Sequence, residues 1–221
     1  MKTFPNLVHL LDLIKRGCFI RAVGKDTFIS QYKIRQKINK LYLLNNSISS
    51  NEFLNKRGWS KVEIKESFKH EFSKAEGRLS NAAFELGGAA NLDLLVSVTS
   101  ALMPKHVLET GVAHGWSSFA ILTVTKDAIL TSIDLPYLAY NNEKEVGLAV
   151  SPGDKNRWKL LRGPDKYYLK KMSKQHFCFA HYDSDKSFDG MRSSLLTICK
   201  LIKPGGLIVV DDIGDTEAYL V

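Results

Sequence analysis

Three aspartates follow two hydrophobic runs in the C-terminal half of the sequence. Asp183 comes directly after the run HFCFAHY, while Asp211 and Asp212 close the run LIVVDD. If these runs are adjacent parallel strands, the three carboxylates converge and repel one another unless a cation lies among them. A hard divalent ion such as Mg²⁺ prefers oxygen ligands of this kind. The pattern therefore predicts a metal site that would lower the pKa of a substrate hydroxyl. The alternative is a set of solvated loop acids.

A fourth aspartate, Asp185, lies two residues beyond Asp183. In that position it could accept the proton that the substrate hydroxyl loses, as a general base. The alternative is that Asp185 and Ser187 both cap the amphipathic helix predicted next in the chain.

The stretch VLETGVAHGWSS, residues 107–118, has the pattern of a strand, a tight turn and a helix start. Gly111 and Gly115 permit the turn and a close approach of a ligand, and the helix would present free N–H groups. A dinucleotide fingerprint is excluded, because Ala113 and Trp116 occupy two of its glycine positions, and no P-loop lysine follows. The alternative is a plain strand–turn–helix connection.

Asp134 ends a second strand candidate, 25 residues after Glu109. An acid at this place commonly binds the hydroxyls of a ribose. The alternative is a loop aspartate that caps the following segment.

Strand and helix patterns alternate through the second half of the chain, which favours a doubly wound α/β fold with a mainly parallel sheet. The ligand crevice is then expected at the carboxyl ends of the strands. The strand candidates are 106–110, 128–134, 157–163, 176–183 and 207–212. The helix candidates are 91–103, 116–125 and 187–202.

The first 80 residues have a helical pattern and carry the positive charge of the protein. They contain 16 Lys and Arg against 7 Asp and Glu, out of a net charge of +8 for the whole chain. Asp26 is predicted to cap one helix, and Ser60 with Glu63 to form a capping box for another. The excess charge indicates either an anionic partner or solvated helix faces.

Location is predicted from what the sequence lacks and from its cysteines. No run of about 18 apolar residues and no signal-peptide pattern is found, so no transmembrane segment is expected. Three widely spaced cysteines are typical of reduced thiols in a cytoplasmic protein.

Three segments of the sequence resemble, in their order along the chain, the motifs of class I S-adenosylmethionine-dependent methyltransferases. These segments are ETGVAHGWSS, SIDLP and AHYDSDKSFDG…LIKPGGLIVVDDI. The likeness covers about residues 87–214 and is strongest to the metal-dependent macrocin and catechol O-methyltransferase-like branch. It implies a Rossmann-like sheet of order 3-2-1-4-5 and S-adenosylmethionine as the cofactor. It also implies Mg²⁺-assisted O-methylation of a sugar or another small acceptor, phosphorylated or carrier-linked if the basic region contacts it.

The resemblance implies a role for each matching residue. The cofactor would contact the first motif, the ribose acid, the segment after strand three and the first metal ligand. These residues are Glu109, Gly111, Ala113, Gly115, Ser117, Ser118, Asp134, Gly163, Asp165 and Asp183. Asp185 keeps the base position of the sugar-modifying branch, whereas Ser184 and Lys186 replace the Gly and His that are common there.

The chain is expected to comprise an N-terminal helical lid and acceptor region, 1–86, and a cofactor-binding domain, 87–221. That domain lacks the C-terminal hairpin usual in this class, so an inactive binding protein with a basic helical surface is the alternative function. The uncovered strand edge makes a homodimer plausible. Nucleic acid is not expected, because the basic region lacks a recognised nucleic-acid-binding pattern.

Overall fold

A five-stranded parallel sheet forms the centre of the protein in the computed structural model, which describes residues 25–84, 86, 88–136, 143–214 and 217–219. The strand order is β3-β2-β1-β4-β5, and every neighbouring pair is parallel. This confirms the predicted fold class and strand order. The strands are β1 (His106–Thr110), β2 (Ile129–Asp134), β3 (Trp158–Arg162), β4 (Phe177–Tyr182) and β5 (Ile202–Val210).

Helices precede the sheet and connect its strands. Within the described residues, the N-terminal helices are α1 (Lys25–Asn46), α2 (Ser50–Lys56), α3 (Ile64–Ser67) and α4 (Lys69–Leu79). The helices within the α/β unit are α5 (Leu92–Leu102), α6 (Trp116–Val124), α7 (Asp165–Leu169) and α8 (Phe188–Leu201). Two 3₁₀ helices are Pro152–Arg157 and Glu217–Tyr219.

The strands form where apolar residues occur in short runs, because both faces of a parallel sheet are covered. Val107 and Leu108 of β1 are both completely buried, one in each of the two large hydrophobic clusters. Within the same strand Glu109 is also completely buried, which is exceptional for a carboxylate.

Strand β5 begins five residues earlier than predicted. The segment 203–206, which precedes the predicted strand, is included in β5, and the register with β4 shifts between Phe177 and Phe179. Gly205 has φ +80° in this irregular part. The extra residues are therefore accommodated as a bulge rather than as a separate turn.

The N-terminal helices α2 to α4 pack into the same hydrophobic cluster as the sheet. Leu54, Ile64, Phe72 and Ala75 are buried there beside Val107. Two predicted helix caps differ from the structure. Ser60 lies before α3, which begins after Glu63, and Glu63 instead pairs with Lys61 at 2.5 Å. Asp26 lies inside the first turn of α1.

Helix α1 contacts the segment that follows β5. Asn39 donates a hydrogen bond from its side chain to the carbonyl of Ile213 at 2.6 Å and accepts one from Tyr219 at 2.9 Å. No helix among the described residues is long and apolar enough to cross a membrane. The predicted division at residue 86 stays a prediction, and residues 1–24 and Gly87 lie outside the described part of the chain.

Candidate functional site

A cavity of about 1120 Å³ opens at the carboxyl ends of the strands. In the strand order, β1 has β2 on one side and β4 on the other, so the direction of the connections reverses at β1. The cavity lies at this switch point, which is the usual ligand crevice of such sheets. Most of the predicted site residues line it. These are Gly111, Ala113, Gly115, Ser117, Asp134, Gly163, Asp165, Asp183, Asp185, Asp211 and Asp212.

The turn after β1 is shaped by contacts with the protein's own backbone. Gly111 has φ +80°, and a Cβ atom there would lie 1.8 Å from the carbonyl oxygen of Asp183. Gly115 has φ +82°, and its Cβ would lie 2.8 Å from the Cα of Gly147. Ala113 also has a positive φ, +48°. Glycine is thus required at 111 and 115 even before a ligand is considered.

Glu109 and Ser118 do not line the cavity, so the structure gives no support to their predicted direct contact with the cofactor. Both are completely buried beneath the turn. One carboxylate oxygen of Glu109 accepts hydrogen bonds from Ser118 at 2.5 Å and from Ser132 at 2.6 Å. Ser132 in turn accepts one from the indole N–H of Trp158 at 2.8 Å. These side chains join β1, β2, β3 and α6.

His181 on β4 lies next to this network. Its Nδ1 is 3.8 Å from Oε1 of Glu109, and the residue is only 1% exposed. Among the residues that the structure describes, neither ring nitrogen of His181 nor Oε1 of Glu109 finds a hydrogen-bond partner. The register of β1 with β4, which places Glu109 opposite His181, brings the two together.

Asp134 ends β2 in a position held by two partners. It accepts a hydrogen bond from the N–H of Val112 at 3.0 Å and pairs with Arg162 at the end of β3. Burial raises the pKa of Asp134, and the charge of Arg162 opposes that rise. Arg162 also pairs with Glu143 at 2.8 Å. Asp134 therefore fixes the glycine turn as well as facing the cavity.

The segment after β3 is fixed by Asp165. Its Oδ1 accepts a hydrogen bond from the Lys166 N–H at 2.6 Å, and its Oδ2 accepts from Ser184 at 2.7 Å and from Ser194 at 2.9 Å. Gly163 and Asp165 thus lie at the cavity wall, and Asp165 also serves as a structural acceptor.

The predicted metal residues lie together with a lysine among them. Lys186 pairs with Asp183 and lies 3.1 Å from Asp212. Burial raises the pKa of Asp183, an effect that Lys186 opposes and Asp211 reinforces. Single ligand atoms of His181, Asp183 and Asp211 also lie within 4.8 Å of one another.

Asp185 lines the cavity and also acts at the start of α8. Its Oδ1 accepts a hydrogen bond from the Ser187 N–H at 3.0 Å. A Cβ on Gly190 would lie 2.0 Å from Oδ2, so the carboxylate rests against that glycine. Ser187 caps the helix by accepting from the Gly190 N–H at 3.2 Å. The capping alternative is therefore confirmed, and a base role must operate from this fixed position.

The sequence interpretation did not find the partners of these acids. Arg162 was assigned no role, although a cation at the end of β3 opposite Asp134 is a recognisable signal once the register is known. Lys186 was noted only as a departure from a family pattern. Ser132 and Trp158 gave no signal, because an internal serine and a tryptophan in a strand look like ordinary core residues.

The fold and this crevice define a Rossmann-like α/β protein with a cavity at the switch point of its sheet. Residues 108–213 match a family model described as a methyltransferase domain. The match confirms the resemblance to class I methyltransferases that was drawn from the motifs of this segment. No match was found among curated proteins.

Solved structures share the fold at low sequence identity. A candidate O-methyltransferase from Klebsiella pneumoniae has a TM-score of 0.53 and 20% identity, and the match covers 64% of each chain. The O-methyltransferase TomG from Streptomyces achromogenes, involved in tomaymycin synthesis and solved with S-adenosylmethionine, has a TM-score of 0.53 and 18% identity, covering 68% of this chain and 75% of that one.

A third solved structure is an O-methyltransferase from Bacillus cereus in complex with S-adenosylhomocysteine. Its TM-score is 0.50 at 18% identity, and the match covers 66% of this chain and 69% of that one. The chain thus spans less than two thirds of the length of the Klebsiella protein, and about two thirds to three quarters of the other two.

Proposed function

We propose that the protein transfers a methyl group from S-adenosylmethionine to a hydroxyl oxygen of a small acceptor. The observation that carries the proposal is the cavity at the switch point, with the glycine turn and Asp134 on one side and Asp183 and Asp185 on the other. Its volume of about 1120 Å³ leaves room for a second molecule beside a nucleoside cofactor. The methyltransferase-domain match and the cofactor-bound neighbours support the cofactor class.

The cofactor would lie along the turn from Gly111 to Ser117. The methionine end would face this turn and the first N–H groups of α6, where a carboxylate is favoured. The ribose would lie at Asp134, whose carboxylate reaches the cavity while Val112 and Arg162 hold it. The adenine would lie near Gly163 and Asp165. Glu109 would support the turn from below rather than contact the ligand.

Asp185 is the candidate base. Transfer is a displacement at the methyl carbon, in which the acceptor oxygen forms the new bond and the sulfonium sulfur leaves as a thioether. The hydroxyl proton must be accepted nearby, and the fixed Asp185 carboxylate at the cavity wall can accept it. Replacing Asp185 with Asn is expected to lower the rate of transfer about 100-fold or more with little effect on cofactor binding.

The predicted Mg²⁺ does not fit the carboxylates as they are arranged. Asp183, Asp211 and Asp212 offer hard oxygen donors, but an ammonium group already pairs with two of the three. No step of the transfer is therefore assigned to a metal ion. Magnesium stays a prediction made from the sequence.

The acceptor is proposed to be a sugar or another small molecule that carries an anionic group. Lys166, Lys170 and Lys171 line the cavity beside Tyr167, and their charge would favour a phosphorylated or carboxylated acceptor. The cytoplasmic location and the homodimer stay predictions from the cysteines and from the edge of β5.

The test is a calorimetric titration of S-adenosylhomocysteine into the purified chain, followed by an acceptor screen with methyl-labelled S-adenosylmethionine. One site of micromolar affinity is expected. A folded, monodisperse sample that gives no heat at two temperatures would overturn the proposal. Tight cofactor binding without transfer to any hydroxyl compound, under conditions where a known O-methyltransferase succeeds, would instead favour the inactive binding protein.

A further inference from the structure

Lys186 lies between acids from two adjacent strand ends. It belongs to the loop between β4 and α8, three residues after Asp183, and its Nζ atom pairs with Oδ1 of that residue. The same Nζ atom is 3.1 Å from Oδ2 of Asp212, which follows β5. One ammonium group thus links the two strand ends from which the metal site was predicted.

The negative charges of Asp183, Asp211 and Asp212 are partly neutralised by this ammonium group. A lysine ammonium is positively charged near neutral pH, and this one contacts Asp183 and lies 3.1 Å from Asp212. The side chain of Lys186 is 29% exposed and that of Asp183 is 32% exposed, so water screens the pair only partly. Lys186 is therefore positively charged at neutral pH and offsets the repulsion among the three carboxylates.

We propose that Lys186 is the resident cation of this acidic cluster and takes the place that a divalent metal ion would need. An ion coordinated by Asp183 would lie roughly 2.0–2.6 Å from its oxygen, on the side where the ammonium group is bound. Two cations cannot share that oxygen without strong repulsion, so a metal would have to displace the lysine. As a consequence that rests on the proposed function, methyl transfer is insensitive to chelators.

A competing arrangement defines the sharpest test. His181 is buried, and its ring nitrogens have no hydrogen-bond partner within the described part of the chain. Together with Asp183 and Asp211 it could offer a metal one nitrogen and two oxygen ligands without using Asp212. If that site operates, the wild-type protein will bind a transition metal whether or not Lys186 is present.

The experiment measures metal binding directly, without any acceptor. The chelator-treated full-length chain is titrated with Mg²⁺ by calorimetry and with Mn²⁺ by electron paramagnetic resonance. The variants are Lys186→Met, Lys186→Arg, which keeps the charge, and Lys200→Met as a control on the surface of α8. We expect no saturable binding up to millimolar metal for the wild type, Lys186→Arg and Lys200→Met. Lys186→Met is expected to bind one equivalent of Mn²⁺ at least tenfold more tightly than the wild type does.

A second readout keeps the test valid if Lys186→Met is unstable. Bound metal stabilises a folded protein, so Mg²⁺ is expected to raise the Tm of Lys186→Met and to leave that of the wild type unchanged. Micromolar binding of one metal ion by the wild type would overturn the proposal. So would a Lys186→Met variant that is folded and gains no metal affinity. A protein that binds neither metal nor S-adenosylhomocysteine, yet gains metal on Lys186→Met, would contradict the proposed function alone.

Discussion

Ser132 shows how a single small side chain can hold the base of a binding site. Its hydroxyl donates to Glu109 at 2.6 Å and accepts from Trp158 at 2.8 Å. Glu109 and Trp158 both depend on this hydroxyl, because a buried carboxylate and a partly buried indole N–H each cost free energy when a hydrogen bond is lost. Ser132 does not line the cavity at the strand ends, and it nevertheless supports the turn that does.

Replacing Ser132 with Ala is expected to lower the free energy of unfolding by about 2–3 kcal/mol, since it removes one of two donors to Glu109 and orphans the Trp158 N–H. Urea unfolding followed by far-UV circular dichroism measures the change. Ser193→Ala on the exposed face of α8 is the control, with an expected change within about 0.5 kcal/mol. Equal stabilities for the two variants would contradict the interpretation.

Asp134 is a residue at which a substitution tests ligand contact. Asp134→Asn keeps an oxygen for the Val112 N–H but removes the charge proposed to bind the ribose. The affinity for S-adenosylhomocysteine, measured by calorimetry, is expected to fall roughly tenfold to a hundredfold, as for a lost charge-assisted hydrogen bond.

Glu143→Gln is the matched control for Asp134, because Glu143 pairs with the same arginine and does not line the cavity. Its affinity is expected to match that of the wild type. If both substitutions weaken binding equally, Asp134 acts only by positioning Arg162.

The elements of the α/β unit were predicted well because their patterns are local. The strand 106–110 was predicted with the bounds it has, and the start of α6 at residue 116 follows from the glycine before it. Helix α5 begins after Asn91, whose side chain accepts a hydrogen bond from the Leu94 N–H as a cap should.

The predictions from the sequence were wrong or incomplete where contacts between distant segments determine the structure. Strand β5 starts at Ile202 because β4 is available to pair with it. The sequence KPGG is typical of a turn and does not indicate this pairing. Lys186 meets Asp212 only after two strands lie side by side. The site acids could therefore be found from the sequence, but the cations that pair with them could not.

Replacing a glycine with φ near +80° has two costs, backbone strain and overlap of the new Cβ with neighbouring atoms, and the turn after β1 allows the two to be separated. Gly111 and Gly205 both have φ +80°, but only Gly111 lies against another backbone atom. Gly205→Ala is expected to lower the free energy of unfolding by about 1–2 kcal/mol, the usual penalty for a left-handed alanine. Gly111→Ala should cost at least about 2 kcal/mol more, and should abolish cofactor binding in calorimetry. Similar losses of unfolding free energy for both variants would show that the Asp183 carbonyl moves aside at little cost.

At the scale of the whole molecule, helices α2 to α4 share one hydrophobic cluster with one face of the sheet. Phe72 of α4 stacks on Trp116 of α6 with ring centroids 5.0 Å apart, and Trp116 lines the cavity. Arg78 extends the contact by donating to the carbonyl of Leu148 at 2.8 Å. Such packing favours one cooperative unit rather than a separable lid.

Unfolding is therefore expected to be a single transition, with coincident urea curves from tryptophan fluorescence and circular dichroism. Phe72→Ala should lower the free energy of unfolding by about 3–5 kcal/mol and shift both curves together. Leu44→Ala, at a side chain that is 70% exposed on α1, is the control with little expected change. Two resolved transitions would instead support independent N-terminal and C-terminal domains.

The close packing of the glycine turn has a kinetic consequence. Gly111 and Gly115 are pressed against the protein's own backbone, so packing within the protein sets the shape of the turn. A ligand that meets a site already in its bound shape need not wait for a rearrangement, and little ordering entropy is lost on binding. In stopped-flow experiments the observed rate of S-adenosylhomocysteine association should then increase linearly with concentration, without the plateau that a slow opening step would impose.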